Sequence, residues 1–329
     1  MSKWKVFIPD RVTSEPKVEM TVFGNQADVI TLKAKSNDEI RGKIEEADAI
    51  LAWHDLKWDR ATLASLKNCR SLVRVGAGFD NVDLVAAKEF GIVISNVPDY
   101  GTNDVADPAL ALLLALARGL FPYAVQAKAK KTWVWEGPKT FRLTKRKLGI
   151  VGLGRIGAAF ALRAKALGMT VSFYDPYLPI GWEKSLGLER HHDLLELARN
   201  SEIISLHTPL TVETRGMIGK AFFDALPQEA VLINTSRGPV MDWPAFREAF
   251  LEKKVYHAGF DVLPTEPIDD ADPLLARWIN GDPEITSRLI ITPHCAFFSR
   301  EAEDEMRYKA AMEALRVLRG ERPRSQVNP

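Results

Sequence analysis

The sequence has only two cysteines, Cys69 and Cys295, in 329 residues. Two cysteines cannot build the disulfide framework of a small secreted domain, so we expect a reducing compartment, the cytoplasm. An excess of either charge is also missing, because 44 basic residues are balanced by 43 acidic ones and the net charge is +1. This balance argues against a basic surface that binds nucleic acid directly.

Long hydrophobic runs and metal-ligand spacings are lacking as well. No apolar run reaches the roughly 18–20 residues that a membrane span needs. The nearest candidate, residues 109–117, is typical of a buried helix. The chain starts in a short strand without the apolar region of a signal peptide, so we expect no membrane association. The adjacent His191 and His192 suit neither one helix face nor a tetrahedral site; we expect both to be exposed and no metal to be bound.

What the sequence has instead is an alternation of short apolar strands with amphipathic segments. Hydrophobic residues make up 46% and charged residues 26% of the chain, a globular balance, and the length suits two domains. Such alternation predicts parallel sheets covered by helices on both faces. The predicted strands are KVFIPD, AILAWH, SLVRVGAG and IVISNVP in the first third, and LGIVGLG, TVSFYDP, EIISLHTP, AVLINTSRG, HAGFDVLP and LIITPH from Leu148 onwards.

Four further segments of the sequence carry informative helical patterns. NDEIRGKIEEA has apolar residues near helical spacing after an Asn or Asp cap. DVADPALALLLALARGL is long and almost free of charge, and Pro108 suits its first turn; we expect this helix to cross between two units. A helix should also leave the LGIVGLG strand. The amphipathic SREAEDEMRYKAAMEALRVLRG is long enough to pack back on the first unit.

Three glycines, Gly152, Gly154 and Gly157, lie between the LGIVGLG strand and the helix that follows it. In a dinucleotide-binding loop the first glycine permits a tight turn, and the second lets the backbone approach a pyrophosphate. The third lets helix and strand pack closely. The free N–H groups of the first helical turn can then bind the phosphates. The sequence therefore predicts a dinucleotide site at this loop.

The next predicted strand, TVSFYD, ends in Asp175. This carboxylate follows the loop at about 20 residues, where an acid can accept both hydroxyls of the adenosine ribose. It would also repel a 2′-phosphate, which favours NAD over NADP. The alternative is a simple turn or cap acid, since Pro176 follows.

Polar residues follow three predicted strands of the second half of the chain: Arg237 after AVLIN, Glu266 after HAGFDVL, and His294 after LIIT. Ligands of doubly wound sheets bind outside the carboxyl ends of the strands, where these residues should lie. An arginine can hold a carboxylate, and a histidine can exchange a proton with the substrate oxygen as hydride moves. The acid can orient the imidazole. Alone, each could be a turn arginine, a loop acid or a core histidine; together they favour hydride transfer to a 2-keto acid.

The motifs VGLGRIG, NTSRGPVMD, GFDVLPTEP and TPH, with VGAGFDNVD in the first third, resemble those of the D-isomer-specific 2-hydroxyacid dehydrogenase family. The resemblance implies an α/β protein with two Rossmann-like, doubly wound parallel-sheet domains. The NAD-binding domain, residues 103–296, is inserted into a discontinuous, flavodoxin-like substrate domain, residues 1–102 and 297–329. The resemblance further implies Arg237, Glu266 and His294 as the catalytic set, and a homodimer formed through the long helix after residue 103.

A narrower likeness to the C-terminal-binding-protein branch rests on AWH, RVGAGFDN, VAD and HCAFFS. The wider family resemblance implies that the backbone N–H groups of Ala77 and Gly78 receive the substrate carboxylate. Trp53 and Phe297 should enclose the substrate side chain. Arg74 is either an outward-facing strand residue or a second cation in the substrate pocket. The predicted cofactor-binding residues are Gly152, Gly154, Arg155, Ile156, Gly157, Asp175, His207, Thr208, Pro209, Thr214, Thr235, Ser236, Arg237, Asp261 and His294.

The predicted function is an oxidoreductase that transfers a hydride between NAD(H) and a small 2-keto acid or D-2-hydroxy acid, with NADH preferred over NADPH. His294 would be the general acid and base, Glu266 would orient it, and Arg237 would bind the substrate carboxylate or carbonyl. Reduction of hydroxypyruvate or glyoxylate is one specific form. The alternative of a different class is an NAD(H)-sensing interaction protein of the co-repressor type.

Overall fold

The computed structural model describes residues 3–12, 15–129 and 136–329. The chain divides into two compact units. Unit 1 comprises Met1–Gly101 and Phe298–Pro329, and unit 2 comprises Thr102–Phe297. Each unit contains one parallel β-sheet with helices packed on it. The prediction of two parallel-sheet α/β domains is therefore confirmed.

Unit 1 contains a five-stranded sheet in the order β2-β1-β3-β4-β5. Its strands are β1 (Trp4–Asp10), β2 (Ala27–Ala34), β3 (Ala49–Ala52), β4 (Ser71–Arg74) and β5 (Val93–Asn96). Its helices are α1 (Lys17–Phe23), α2 (Asn37–Ile40), α3 (Arg60–Ala64), α4 (Leu84–Glu89) and, from the end of the chain, α14 (Arg300–Leu318). The central strands are buried along their whole length, which explains their unbroken apolar runs.

Helix α14 packs on α1, β3 and β4, so the last part of the chain belongs to unit 1. A buried ion pair joins α14 to α1: Arg307 donates to both carboxylate oxygens of Glu19 at 2.8 Å. The pairing raises the pKa of Arg307, and the two parallel hydrogen bonds satisfy charges that would be costly to bury alone.

Unit 2 contains a seven-stranded sheet in the order β12-β11-β10-β9-β6-β7-β8. Its strands are β6 (Lys147–Val151), β7 (Thr170–Tyr174), β8 (Glu189–Arg190), β9 (Ile203–Leu206), β10 (Ala230–Asn234), β11 (Val255–Phe260) and β12 (Leu289–Ile291). Its helices are α5 (Thr102–Arg118), α6 (Leu120–Lys128), α7 (Arg155–Ala166), α8 (Trp182–Leu186), α9 (Leu194–Arg199), α10 (Lys220–Ala225), α11 (Trp243–Leu251), α12 (Pro273–Ile279) and α13 (Pro283–Thr286).

Within the described ranges, no single helix is long and apolar enough to span a membrane. The pair α5 and α6 meets the length and composition criteria only when both are taken together, and the two are bent by 61°. Helix α5 packs on α7, β10 and β11 of unit 2.

Several local expectations were wrong. The helix expected over NDEIRGKIEEA ends at Ile40: Arg41 is already extended, with φ −61° and ψ 132°, and Gly42 then adopts φ +78°. Pro108 lies in the interior of α5 rather than in its first turn, since the helix already begins at Thr102. Burial of α5 offsets the lost hydrogen bond of the proline. His191, which follows β8, is buried and only 7% exposed, and its Nδ1 lies 3.5 Å from Glu196 Oε2.

Candidate active site

The strand order of unit 2 predicts a crevice at one edge of its sheet. The chain proceeds outward from β6 to β7 and β8 on one side, then from β9 to β12 on the other. Where the order reverses, between β6 and β9, the loops after the two strands diverge and leave room for a ligand. The glycine loop follows β6, and His207, Thr208 and Pro209 follow β9.

The three glycines of the loop have distinct surroundings. Gly152 has φ +88°, and a Cβ there would press on Thr208 and on the backbone of His207. No atom lies within 4 Å of a Cβ placed on Gly154, so this position is open to a ligand. A Cβ on Gly157 would overlap the carbonyl of Gly152, so helix α7 can approach β6 only with glycine there. These are the three roles that a dinucleotide loop requires.

Asp175 follows β7 and bonds directly to the glycine loop. Its Oδ2 accepts a hydrogen bond from Leu153 N–H at 2.9 Å, and its Oδ1 accepts one from Tyr177 N–H at 3.0 Å. A carboxylate has about four lone-pair sites, so each oxygen retains capacity for a ribose hydroxyl. The carboxylate is thus anchored to the loop that would hold the pyrophosphate.

Two buried hydroxyls beside the crevice have no hydrogen-bond partner among the described residues: Oγ1 of Thr208 and Oγ1 of Thr235. Orphaned buried polar atoms are rare and call for a ligand or water. Together with the open side of Gly154 and the free N–H groups at the start of α7, they fit a dinucleotide. Arg155 is exposed and Ile156 half-buried in the first turn of α7.

Other residues predicted to bind the cofactor already form bonds within their own loops. Thr214 Oγ1 donates to the carbonyl of Pro209 at 2.7 Å, and the hydroxyl of Ser236 donates to Asn234 Oδ1 at 2.8 Å. His207 Nε2 lies 2.8 Å from Ser205 Oγ. Burial lowers the pKa of His207 to about 3, so its imidazole is neutral at physiological pH.

His294 and Glu266 are in direct contact. Nδ1 of His294 lies 2.6 Å from Oε2 of Glu266, whose Oε1 accepts from Leu263 N–H at 2.9 Å. Burial by itself would raise the pKa of Glu266, but the hydrogen bond and charge of His294, with the Leu263 N–H, outweigh it. The net effect lowers the pKa of Glu266. An ionised acid thus contacts Nδ1 and orients the ring of His294.

The backbone of His294 is in the left-handed region, with φ 50°. Asp261, at the end of β11, holds the chain there. Its carboxylate accepts from Thr292 Oγ1 at 2.5 Å, from Cys295 N–H at 3.0 Å and from Ala296 N–H at 2.9 Å. The Asp261 carbonyl accepts from His294 N–H at 2.8 Å. Sequence reasoning expected a cofactor contact for Asp261; the described contacts of its carboxylate position the histidine loop.

Arg237 lies on the loop that follows β10. Asn234 organises this loop, because its Oδ1 accepts from Ser236 N–H at 2.9 Å and its Nδ2 donates to the Arg237 carbonyl at 3.1 Å. A Cβ on Gly238 would overlap the carbonyl of Leu263, so only glycine lets this loop abut the one that carries Glu266. The Arg237 charge contributes to the lowered pKa of Glu266. The roles of Asn234 and Gly238 were missed from the sequence.

The residues predicted to bind substrate are divided between the two units. In unit 1, Trp53 follows β3, Arg74 ends β4, and Ala77 and Gly78 follow β4; Phe297 belongs to unit 2. Arg74 is 7% exposed, so the interpretation as an outward-facing strand residue was wrong. Its guanidinium donates to the Val75 carbonyl. Asn96 Nδ2 donates to the Ala77 carbonyl at 2.7 Å and holds the glycine segment.

Over the part of the chain that the structure describes, no three histidine, cysteine, aspartate or glutamate side chains form a group that could hold a metal ion.

Comparison with known proteins places this chain in a family. A model of the NAD-binding domain of D-isomer specific 2-hydroxyacid dehydrogenases matches residues 110–296. Glyoxylate reductase of Korarchaeum cryptofilum is 34% identical over 326 residues, which cover 98% of this chain and 93% of that protein. D-3-phosphoglycerate dehydrogenase of Methanocaldococcus jannaschii is also 34% identical, over 293 residues and 89% of this chain. The match covers 54% of that relative, so the chain spans about half its length.

Among solved structures, a protein of Thermus thermophilus has a TM-score of 0.85 at 30% identity, covering 98% of this chain and 99% of that one. The narrower likeness to the C-terminal-binding-protein branch stays a prediction. The family model extends over more than half of the chain, and a relative 34% identical extends over nearly all of it. The chain therefore belongs to the D-isomer-specific 2-hydroxyacid dehydrogenases, a family of NAD-binding oxidoreductases.

Proposed function

We propose that this protein reduces a small 2-keto acid to the D-2-hydroxy acid with NADH, and catalyses the reverse reaction with NAD. The observation that carries the proposal is the 2.6 Å bond between His294 Nδ1 and Glu266, at the sheet edge that also bears the glycine loop. Bound NADH supplies the hydride.

The protein's own residues would supply the proton and the charge. Because Glu266 occupies Nδ1, a protonated His294 presents Nε2–H to the carbonyl oxygen of the substrate. As the carbonyl carbon accepts hydride, the proton passes from Nε2 to the oxygen, and the remaining Glu266 carboxylate keeps the ring oriented. Arg237 binds the substrate carboxylate or the carbonyl oxygen and stabilises the negative charge that develops there.

Unit 2 would be the NAD-binding domain and unit 1 the substrate domain. Arg74, Trp53 and the N–H groups of Ala77 and Gly78 would belong to the substrate-binding set, with Phe297. Since one relative is named a glyoxylate reductase, glyoxylate and hydroxypyruvate are the first substrates to test. The two cysteines are free, which supports a reducing compartment such as the cytoplasm.

The test is turnover of a panel of 2-keto acids with NADH. We expect His294→Ala to lower kcat by about a hundredfold to ten-thousandfold, the usual contribution of a general acid, while NADH still binds. His192→Ala is the matched control, because His192 is exposed. An unchanged rate in His294→Ala would exclude the assigned role, and no turnover of any 2-keto acid by the unmodified protein would count against the reaction.

The cofactor preference rests on Asp175, whose carboxylate is held beside the glycine loop. A 2′-phosphate there would meet a fixed negative charge, so we propose that NADH is preferred over NADPH by at least roughly tenfold in kcat/KM. Asp175→Ala should narrow this gap by weakening NADH and relieving NADPH. Equal rates with both cofactors in the unmodified protein would refute the preference.

We also propose that the protein is a homodimer whose interface includes α5, the long helix after residue 103, and the helix α6 that follows it. Phe121 and Val125 of this helix are 55% and 68% exposed, beside an open groove of about 810 Å³ that runs along the outer strand β12. Exposed apolar surface of this kind is typical of an interface, and a second copy would cover it. Sedimentation velocity should show a dimer that Val125→Glu dissociates. Val85→Glu, at the equally exposed Val85 of unit 1, should leave it intact.

A further inference from the structure

Arg190, the last residue of the short strand β8, is nearly buried: its side chain is 8% exposed. Its guanidinium donates to three backbone carbonyls of one loop. Nη1 reaches the carbonyls of Asp175 at 3.3 Å and Leu178 at 3.0 Å, and Nη2 reaches that of Pro179 at 2.8 Å. The guanidinium carbon lies 5.0 Å from the centre of the Phe173 ring, a cation–π distance.

The loop that Arg190 holds is the one that carries the cofactor-selecting acid. Residues 175–179 follow β7, and the Asp175 carboxylate in turn accepts from Leu153 N–H in the glycine loop. A chain of hydrogen bonds therefore runs from Arg190 through Asp175 to the backbone of the phosphate-binding loop. Rigid, prearranged donors and acceptors lower the cost of ordering a binding site.

A second contact, with Glu183, neutralises the positive charge of Arg190. Nε of Arg190 donates to Glu183 Oε2 at 3.0 Å, and both oxygens of Glu183 lie within 3.2 Å of Gly181 N. Without this partner, a guanidinium behind the ribose loop would partly offset the negative field of Asp175. With it, Asp175 keeps its full repulsion for a 2′-phosphate.

We propose that Arg190 is a positioning residue for the adenosine end of the cofactor, and that Glu183 masks its charge and so maintains the selection against NADPH. The inference rests on the proposed function, because it assumes that this crevice takes NADH. Arg190 contacts only protein atoms, and it acts by fixing the position of the loop that carries Asp175.

The test is direct binding of NADH and NADPH by calorimetry, with steady-state kinetics and melting temperatures on the same variants. Arg190→Gln removes the guanidinium and its charge, so the loop that carries Asp175 is no longer held. We therefore expect the Kd for NADH to rise about tenfold, which is equivalent to the loss of one strong hydrogen bond. At saturating NADH, kcat should stay within about twofold, since the chemistry is elsewhere. Arg190→Lys should be intermediate, because the single ammonium nitrogen keeps the charge but lacks the planar fork whose two nitrogens reach the three carbonyls.

Glu183→Gln tests the masking. In this variant Arg190 still bonds the three carbonyls, but its positive charge is no longer neutralised. We therefore expect the Kd for NADPH to fall about threefold, which corresponds to less than the roughly 1.4 kcal/mol of a tenfold change, and the Kd for NADH to stay unchanged. Arg199→Gln is the matched control for Arg190→Gln, because Arg199 is a surface arginine of the same unit, with 57% of its side chain exposed.

The outcomes separate the two proposals. If the unmodified protein binds neither cofactor, the proposed function fails. If it binds NADH and Arg190→Gln binds it equally well, even with a lowered melting temperature, the positioning role is overturned. If Arg190→Gln does not fold, Arg190→Lys and Glu183→Gln decide: NADH and NADPH affinities like those of the unmodified protein in both variants would overturn the inference.

Discussion

At the scale of single residues, the backbone of His294 shows that the candidate site holds a strained conformation. A non-glycine residue with φ 50° is disfavoured by roughly 1–3 kcal/mol, and such residues persist only where their surroundings impose them. Here Asp261 imposes it through its carboxylate bonds to the backbone N–H groups of Cys295 and Ala296. The proposed proton donor is therefore aimed by a residue that need not contact the substrate.

Gly238 gives a prediction at this scale. Because a Cβ there would overlap the Leu263 carbonyl, Gly238→Ala must push the Arg237 loop away from the loop of Glu266. A misplacement of about 1 Å can cost on the order of a hundredfold in rate, so we expect kcat to fall at least tenfold. Stopped-flow or steady-state reduction of the best 2-keto acid would measure it.

The control for Gly238 is Gly42→Ala in unit 1. Gly42 has φ +78° and nothing within 4 Å of its Cβ position, so alanine there costs only backbone strain, about 1 kcal/mol. Its unfolding midpoint should drop while kcat stays unchanged. A Gly238→Ala protein with undiminished kcat would show that the two loops tolerate separation.

At the scale of elements, the outer edge of β5 is covered by the last residues of the chain. The Asn96 N–H donates to the Ser325 carbonyl at 3.2 Å, and Val327 N–H donates to the Ile94 carbonyl at 2.9 Å. Asn328 extends the pairing with its side chain: Oδ1 accepts from Ile94 N–H at 2.8 Å and Nδ2 donates to the Ile92 carbonyl at 2.8 Å. Covering an edge strand prevents pairing with other chains.

We therefore expect Asn328→Ala to destabilise unit 1. Two hydrogen bonds of a buried side chain are lost at about 1 kcal/mol each, so the free energy of unfolding should fall by about 2 kcal/mol in urea titrations. Gln326→Ala is the control, since the side chain of Gln326 makes a longer, 3.3 Å bond to the neighbouring Asn328 carbonyl. Equal stability of the two variants would mean that the tail contributes little.

At the scale of the whole molecule, buried histidines link stability to pH. His257 in β11 is 4% exposed, and burial, with the charges of Arg288 and Lys139, lowers its pKa from 6.5 to about 4. Between these values the folded protein keeps His257 neutral while the unfolded chain binds a proton. Stability is therefore lost as the pH falls from 6.5 towards 4, and it is regained above 6.5.

Between pH 7 and pH 5 this one group should cost about 2 kcal/mol of unfolding free energy. We expect His257→Gln to remove that part of the acid destabilisation, while His207 continues to contribute in the same direction. Urea midpoints at the two pH values, read by circular dichroism, would measure the difference. His192→Gln, at an exposed position, should leave the pH dependence as it is; a His257→Gln protein with the original dependence would contradict the assignment.

The sequence by itself determined the features that depend on local pattern. Buried parallel strands require unbroken apolar runs, so β6, β7 and β9–β12 were predicted from their composition. The glycine spacing similarly reports a turn that only glycine permits, at Gly152 and Gly157. Two edge strands lack such a signal: β8 has only two residues, and the eight-residue β2 is only half-buried along most of its length, so neither was predicted.

Only the tertiary structure decided which polar groups meet. Asp261 reaches the His294 loop because β11 and β12 are neighbours, with Phe260 opposite Ile291. Gly238 is required because the loop around Leu263, distant along the chain, passes against it, and Arg190 acts because β8 lies beside β7. Such contacts join residues distant in sequence, and no local propensity encodes them. They exist once burial of the apolar strands has brought the loops to one edge of the sheet.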